Sequence, residues 1–245
     1  MHFKIIVPMY NVENWIGTTI KSIKEQSHKN FECILLDDLS TDSTVEECRI
    51  AILDDLRFKL IQNTEKKYAL GNHIAGIDIS NPNDEDVIVH VDGDDWLANK
   101  DVLEKVKNRY EKTNCLMTYG NHIDYPAGEP RNPLFRYPKN IVESNNFRNY
   151  RFLISHLRTF KYKLWKKIDQ QDFLDKNGNL YKRTCDLAMM FPLIELAGER
   201  FEFIDDILYV YNMANPLNDF KIDHKEQFSY ELELRNKRKY ERAGL

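Results

Sequence analysis

Val87-Ile88-Val89-His90-Val91-Asp92-Gly93-Asp94-Asp95 is an apolar run that stops on acidic residues. A short apolar run bounded by polar residues suits a strand buried on both faces. Phe3 to Val7 (stopped by Pro8), Phe31 to Leu36 and Phe58 to Ile61 are further strand candidates upstream. Helical patterns separate them. Val12, Trp15, Ile16, Thr19, Ile20 and Ile23 recur at helical spacing and predict a helix ending near Ser27. Ser43-Thr44-Val45-Glu46 reads as a capping box opening a helix to about Leu56, and Ala69 to Ile79 reads as a third helix. Strand and helix in alternation predict an α/β fold whose parallel strands join by right-handed crossovers. Such sheets bind ligands beyond the carboxyl ends of their strands. Here three of the four candidate strands end on Tyr10-Asn11, Asp37-Asp38 and Asp92 to Asp95, so ligand-capable side chains converge on one edge.

Downstream the pattern loosens. Asp101 to Tyr110 is helical, Cys115 to Tyr119 has strand character, and the proline-bearing stretch Pro126 to Pro138 is the best internal boundary. Phe152 to Ile168 mixes aromatics with Arg and Lys. Cys185 to Ala197 is a strongly apolar helix closed by Gly198, Phe201 to Tyr211 returns to strand character, and Lys225 to Leu245 reads as a charged helical tail. The expected organisation is a Rossmann-like half over 1–100, a second half over 101–220, and the tail over 221–245.

Bulk properties narrow the function. A formal net charge of -4 over 245 residues gives no general attraction for nucleic acid, so an anionic ligand needs local cations or a metal. Cys33, Cys48, Cys115 and Cys185 are scattered with no CxxC pair, which speaks against structural zinc and suits reduced thiols. The N-terminal apolar run is too short for a signal peptide and no stretch is long enough to cross a bilayer. The expectation is a cytoplasmic protein, soluble or peripherally membrane-associated. Arg235, Lys237, Arg238, Lys239 and Arg242 could give the tail weak contact with an anionic membrane surface. Intervening Glu231, Glu233 and Glu241 favour a solvated helix.

Carboxylates gathered at one strand end repel one another unless a cation joins them. Mg²⁺ or Mn²⁺ takes oxygen ligands and completes its shell with water and phosphates. Gly93 would let the backbone approach a ligand closely. A calcium loop is excluded, because the twelfth residue counted from Asp92 is Leu103 and not the required Glu.

The blocks Ile5-Ile6-Val7-Pro8-Met9-Tyr10-Asn11, Ile34-Leu35-Leu36-Asp37-Asp38-Leu39-Ser40-Thr41-Asp42 and Val91-Asp92-Gly93-Asp94-Asp95-Trp96-Leu97 together resemble the successive signatures of family 2 glycosyltransferases. The resemblance covers about the first hundred residues. It implies the GT-A fold, a Rossmann-like, mostly parallel mixed sheet flanked by helices. It also implies an inverting transfer that uses Mn²⁺ or Mg²⁺ and a nucleoside-diphosphate sugar. On this likeness Pro8, Tyr10, Asn11, Asp38, Lys67, Asn72, Asp92 and Gly93 fall at donor-contacting positions: Tyr10 stacks on the base, Asp38 bonds to it, and Lys67 lies near the donor. Asn72 matches the Asn of an Ala-Arg-Asn element, although Gly71 replaces its Arg. Asp92 and Asp94 match the metal-binding carboxylates, with Asp94 the principal ligand.

Inverting transfer needs a carboxylate to take the proton of the attacking hydroxyl. Asp186, in Thr184-Cys185-Asp186-Leu187, resembles the base of the family's Glu-Asp element, with Cys185 in place of Glu, and a helix N-terminus favours an anion there. The competing reading makes Asp186 a plain N-cap. Arg158 could clamp a phosphate bidentately or pair with a structural carboxylate, and His156 could contact the acceptor. His224 could serve as a late metal ligand or be a surface histidine. His90 is expected to be buried structure. The partners expected are a nucleotide-sugar, with UDP-sugar favoured, and a glycan, lipid-linked or protein acceptor. A sugar nucleotidylyltransferase would need a glycine-rich loop where Pro8-Met9-Tyr10-Asn11 stands. Neither GxGxxG nor a P-loop occurs. A non-catalytic nucleotide-sugar-binding protein of the same fold is the remaining alternative.

Overall fold

The computed structural model describes residues 1–129, 134–217 and 224–245, the side chain of His224 excepted. In chain order its elements are β1 (Phe3–Met9), α1 (Ile16–Lys24), β2 (Phe31–Asp37), α2 (Thr44–Ile52), β3 (Phe58–Gln62), α3 (Tyr68–Ser80), β4 (Val87–His90), β5 (Trp96–Leu97), α4 (Val102–Thr113), β6 (Met117–Tyr125), α5 (Lys139–Glu143), β7 (Arg158–Lys161), α6 (Tyr162–Trp165), α7 (Cys185–Ala197), β8 (Phe201–Asn212) and α8 (His224–Asn236). The strands form one eight-stranded mixed sheet in the order β3-β2-β1-β4-β7-β6-β8-β5. The first four run parallel, with β1 between β2 and β4. The chain therefore builds outward from β1 on one side and then returns to its other side, which makes the β1/β4 junction the switch point of the sheet.

Alternation of side chains splits the core into two layers. Phe3, Ile5 and Val7 with Leu35, Val87 and Val89 face α1 and α4, burying Ile16, Ile20, Ile23, Val102 and Val106. Ile6, Ile34, Leu36 and Ile88 face the other way, against Leu70 and Ile77 of α3 and onward to the apolar residues of α7. α3 lies on the sheet at Gly76, where an added Cβ would stand 2.5 Å from Ile6 and 2.8 Å from Leu36.

The second half continues the same sheet. β7 is antiparallel to both β4 and β6, and β6 runs parallel to β8. The periodicity did not announce β7, because Arg158-Thr159-Phe160-Lys161 carries a cation at each end. β6 outruns the apolar stretch Cys115 to Tyr119 and reaches Tyr125, because β8 pairs with it throughout. The expected capping box does not form. The Ser43 side chain makes no cap hydrogen bond, and Asp42 instead accepts from the backbone N–H of Thr44 at 3.0 Å and from its hydroxyl at 2.6 Å.

The tail is helical only to Asn236. Beyond it the backbone N–H of Tyr240 donates to Glu195 and that of Ala243 to the Leu196 carbonyl, so the last residues bind along α7. Arg235, Lys237 and Arg242 are tied to carbonyls and carboxylates of the chain itself, while Arg238 and Lys239 are exposed. Among the described residues no helix is long and apolar enough to cross a membrane.

Glu195 is fully buried inside the apolar α7 and meets Arg148 in a two-pronged pair, Nε to Oε1 at 2.7 Å and Nη2 to Oε2 at 2.9 Å. Removing one partner strands a charge out of water, so Glu195→Ala should lower unfolding stability by about 3–5 kcal/mol, whereas Arg148→Met with Glu195→Met should lose far less. Urea titrations of the three proteins measure this, and equal losses would show that the pair's charge is not what matters.

Candidate active site

Two strand ends are pinned together at the switch point. The backbone N–H of Gly93 donates to the Pro8 carbonyl at 3.0 Å. A Cβ on Gly93 would lie 2.6 Å from that of Met9 and 2.9 Å from the Pro8 oxygen. Glycine is needed here because the tip of β4 rests on the tip of β1. The Thr19 hydroxyl of α1 reaches the carbonyls of Gly93 at 3.0 Å and Asp95 at 2.6 Å, which ties the helix to the same turn.

A cavity of about 340 Å³ opens over this junction. Of the expected site residues, Pro8, Tyr10, Asp38, Asn72, Asp92, Gly93, Asp94, Arg158 and Asp186 line it. Among the described residues, Asn11 and Lys67 do not join them. Asn11 turns away to accept from the backbone N–H of Thr41 at 2.7 Å. Lys67 stands at the N-cap of α3 with its backbone N–H on Asp38, and the neighbouring Lys66 takes the place in the cavity. His224 opens α8, but its side chain lies outside the described residues.

The carboxylates of the tip differ in environment. Asp95 is 1% exposed, and its Oδ1 accepts from the backbone N–H of Asn212 at 2.7 Å while its Oδ2 has no partner among the described residues. Burial, with the charges of Asp94 and Asp92 adding to it, pushes the Asp95 carboxyl well above the usual range. Asp94 accepts from the Asn215 side chain at 2.6 Å, and burial raises it too, against that hydrogen bond. Oxygens of Asp92 and Asp95 and a nitrogen of His156 lie within 4.8 Å of one another. Hard oxygen donors, one of them buried without a partner, beside an imidazole fit a divalent cation of the Mg²⁺ or Mn²⁺ kind. The sequence included Asp95 in the acidic run but singled out Asp92 and Asp94 as the metal ligands, and Asn215 was missed because it sits far downstream.

Asp38 serves its own chain as well as the cavity. Its oxygens accept from the backbone N–H groups of Lys67 at 2.8 Å and Tyr68 at 2.9 Å and from the Asn63 side chain at 2.9 Å, which caps the start of α3. Burial pulls this carboxyl upward, but these donors with Asn72 and Lys66 outweigh it and hold it below the ordinary value. Lys66 lies over the Tyr10 ring, 2.9 Å from its centroid, so an exposed aromatic face and a cation occupy the cavity's rim together.

The far wall comes from the second half of the chain. Pairing of β7 with β4 sets Arg158 directly across from His90, at the acidic tip. Thr184 is the N-cap of α7, which places Asp186 in the first turn and not at the cap. Arg158 Nη2 lies 3.4 Å from Asp186 Oδ2, so the arginine has a carboxylate partner while still facing the cavity. Beneath them His73 stacks on His90 at 3.9 Å and His156 on Tyr209 at 4.4 Å. Burial, with the nearby Arg158 charge adding to it, lowers His73 to about 3, and burial likewise holds His90 and His156 well below the normal imidazole range. His90 is thus buried structure, as expected. His156 faces the cavity.

The sequence model of glycosyl transferase family 2 matches residues 4–172. A protein of Haemophilus influenzae described as an uncharacterized glycosyltransferase is 27% identical over 210 residues, which cover 81% of this chain and 82% of that protein. Among solved structures, S. aureus TarS 1-349 in complex with UDP aligns over 96% of this chain and 64% of that one with a TM-score of 0.66 and 19% identity. The mannosyltransferase PcManGT from Pyrobaculum calidifontis, in complex with GDP-Man and Mn²⁺, aligns over 98% and 66% with a TM-score of 0.63 and 17% identity. This chain spans less than two thirds of either solved protein's length, and at such identities the likeness is one of fold. The family match, extending over residues 4–172 and so over most of the chain, agrees with the GT-A architecture and the three strand-end blocks: the chain belongs to glycosyl transferase family 2 and is an enzyme that transfers sugars.

Proposed function

We propose that the enzyme moves a sugar from a nucleoside-diphosphate sugar, with UDP-sugars first among donors, to a hydroxyl of a glycan, lipid-linked or protein acceptor. The transfer inverts the anomeric centre, and Asp186 is the general base. One observation carries this reading: Asp38 after β2, Asp92 and Asp94 in the turn after β4, and Asp186 in α7 line a single cavity. The Tyr10 ring and Asp38 suit a nucleoside at the rim, and the acidic tip suits the diphosphate end once a cation neutralises it. Asp92 and Asp94 would hold Mn²⁺ or Mg²⁺, with Asp95 and His156 as further donors close to Asp92. The ion would supply positive charge for the departing diphosphate.

Asp186 is free of the acidic tip and has one carboxylate oxygen directed at Arg158, which restricts its orientation. A base must lie within hydrogen-bond reach of the proton it removes, and a position on the cavity wall meets that demand for a hydroxyl entering from outside. Arg158 can turn the rest of its guanidinium toward a phosphate oxygen.

A thermal-shift screen of nucleotide-sugars with Mn²⁺ or Mg²⁺ tests the donor half. One donor at a hundred times its dissociation constant should stabilise the protein by about 2.7 kcal/mol, and EDTA or Asp94→Ala should abolish the shift. Stabilisation that survives both treatments would remove the metal from the reading, and no stabilisation by any donor would remove the donor. For Asp186→Asn the expected result is an intact donor-induced shift with transfer reduced about 10²–10⁴-fold. Undiminished transfer would move the base elsewhere.

A further inference from the structure

A second cavity, of about 310 Å³, adjoins the first, and the two share Arg158, Asp186 and Tyr211. The proposed base therefore stands where the cavities meet. We propose that the acceptor occupies this second cavity and that His122, Asp124 and Ser155 select an uncharged, hydroxyl-rich ring, a neutral sugar, over an acceptor carrying phosphate or carboxylate at that position. This rests on the reading of Asp186 given above.

The selection follows from hydrogen-bond polarity. Asp124 and His122 lie two residues apart on β6 and so share a face. His122 Nε2 is 3.3 Å from Asp124 Oδ1, and His122 Nδ1 is 3.0 Å from the Ser155 hydroxyl. In the neutral imidazole the one ring proton sits on Nε2, because a carboxylate only accepts; Nδ1 then accepts, and Ser155 donates into it. The Ser155 oxygen and the Asp124 carboxylate are left with lone pairs, as is Asp186. This wall asks for O–H donors. Of the described residues lining the cavity Arg158 is the one cation, and Asp186 pairs with it. A phosphate or carboxylate here would meet oxygen lone pairs and two carboxylates against a single cation that is already engaged. The remaining lining includes Leu134, Phe152, Ile154 and Met213, apolar surface suited to the C–H faces of a sugar ring.

Saturation-transfer NMR on the protein loaded with UDP and Mg²⁺ tests this. The probes are the methyl glycosides of glucose, galactose, mannose and N-acetylglucosamine, set against the 6-phosphates of the first three and methyl glucuronide. At least one neutral glycoside should bind, with its charged counterparts at least about tenfold weaker. Asp124→Asn and Ser155→Ala should each weaken the neutral ligand about tenfold. Asp124 is buried, so melting temperatures are measured alongside, and the half-buried Ser155→Ala carries the test if Asp124→Asn does not fold. Charged glycosides binding as well as neutral ones, or a folded Ser155→Ala binding like the parent, would overturn the proposal. Clear UDP signals without binding of any neutral glycoside would overturn it alone, whereas absent UDP signals would refute the donor reading instead.

Discussion

The contact on which the site depends is the hydrogen bond from the Gly93 N–H to the Pro8 carbonyl, made across a gap that no side chain could enter. It locks the turn after β4 onto the end of β1 at the point where strand order reverses. The carboxylates of Asp92, Asp94 and Asp95 are then crowded at one turn, with Asp95 buried and Asp92 and Asp94 half-buried on the cavity wall. Burial lifts the carboxyls of both Asp94 and Asp95, and at Asp95 the neighbouring charges of Asp94 and Asp92 add to the rise, so such crowding is unfavourable for a bare protein. It is also what makes the turn receptive to a cation. Thr19 and Asn212, which hold the turn from α1 and β8, keep the charges from relaxing apart.

Around this anchor the two halves of the chain do different work. The parallel half offers strand ends, and Asp38 shows how economical they are: one carboxylate caps α3 and faces the cavity as well. The second half adds β7 to the sheet in the opposite sense. That reversal carries Arg158 and His156 to the acidic tip, where a further parallel strand would have offered its other end. α7 then delivers Asp186 from its first turn against Arg158. The buried Arg148–Glu195 pair and the terminal segment fix α7 from behind.

Much of the first hundred residues was legible before any coordinates. The strands there are buried on both faces and read as unbroken apolar runs, and their ends carry the motif residues. The helices followed from spacing, although Asp42 and not Ser43 caps α2, because several polar residues in a row compete for one set of backbone donors. Legibility fell where the signal is pairwise. β7 is four residues long with charged ends, and only the neighbours on either side make it a strand. Lys66 and Lys67 are indistinguishable by composition, and the cap on Asp38 decides which of them enters the cavity.

What the sequence determined by itself is local in origin: apolar periodicity specifies the alternating elements, and acidic residues following an apolar run mark a strand end that will bear charge. Which distant groups meet there is set by the three-dimensional fold. Asp95 joins His156, Asp94 joins Asn215, and Asp186 joins Arg158, over separations that no periodicity encodes. The physical reason is that strand order and sense, settled by packing over the whole sheet, determine which chain ends share an edge, whereas propensity and pattern act only between residues a few positions apart.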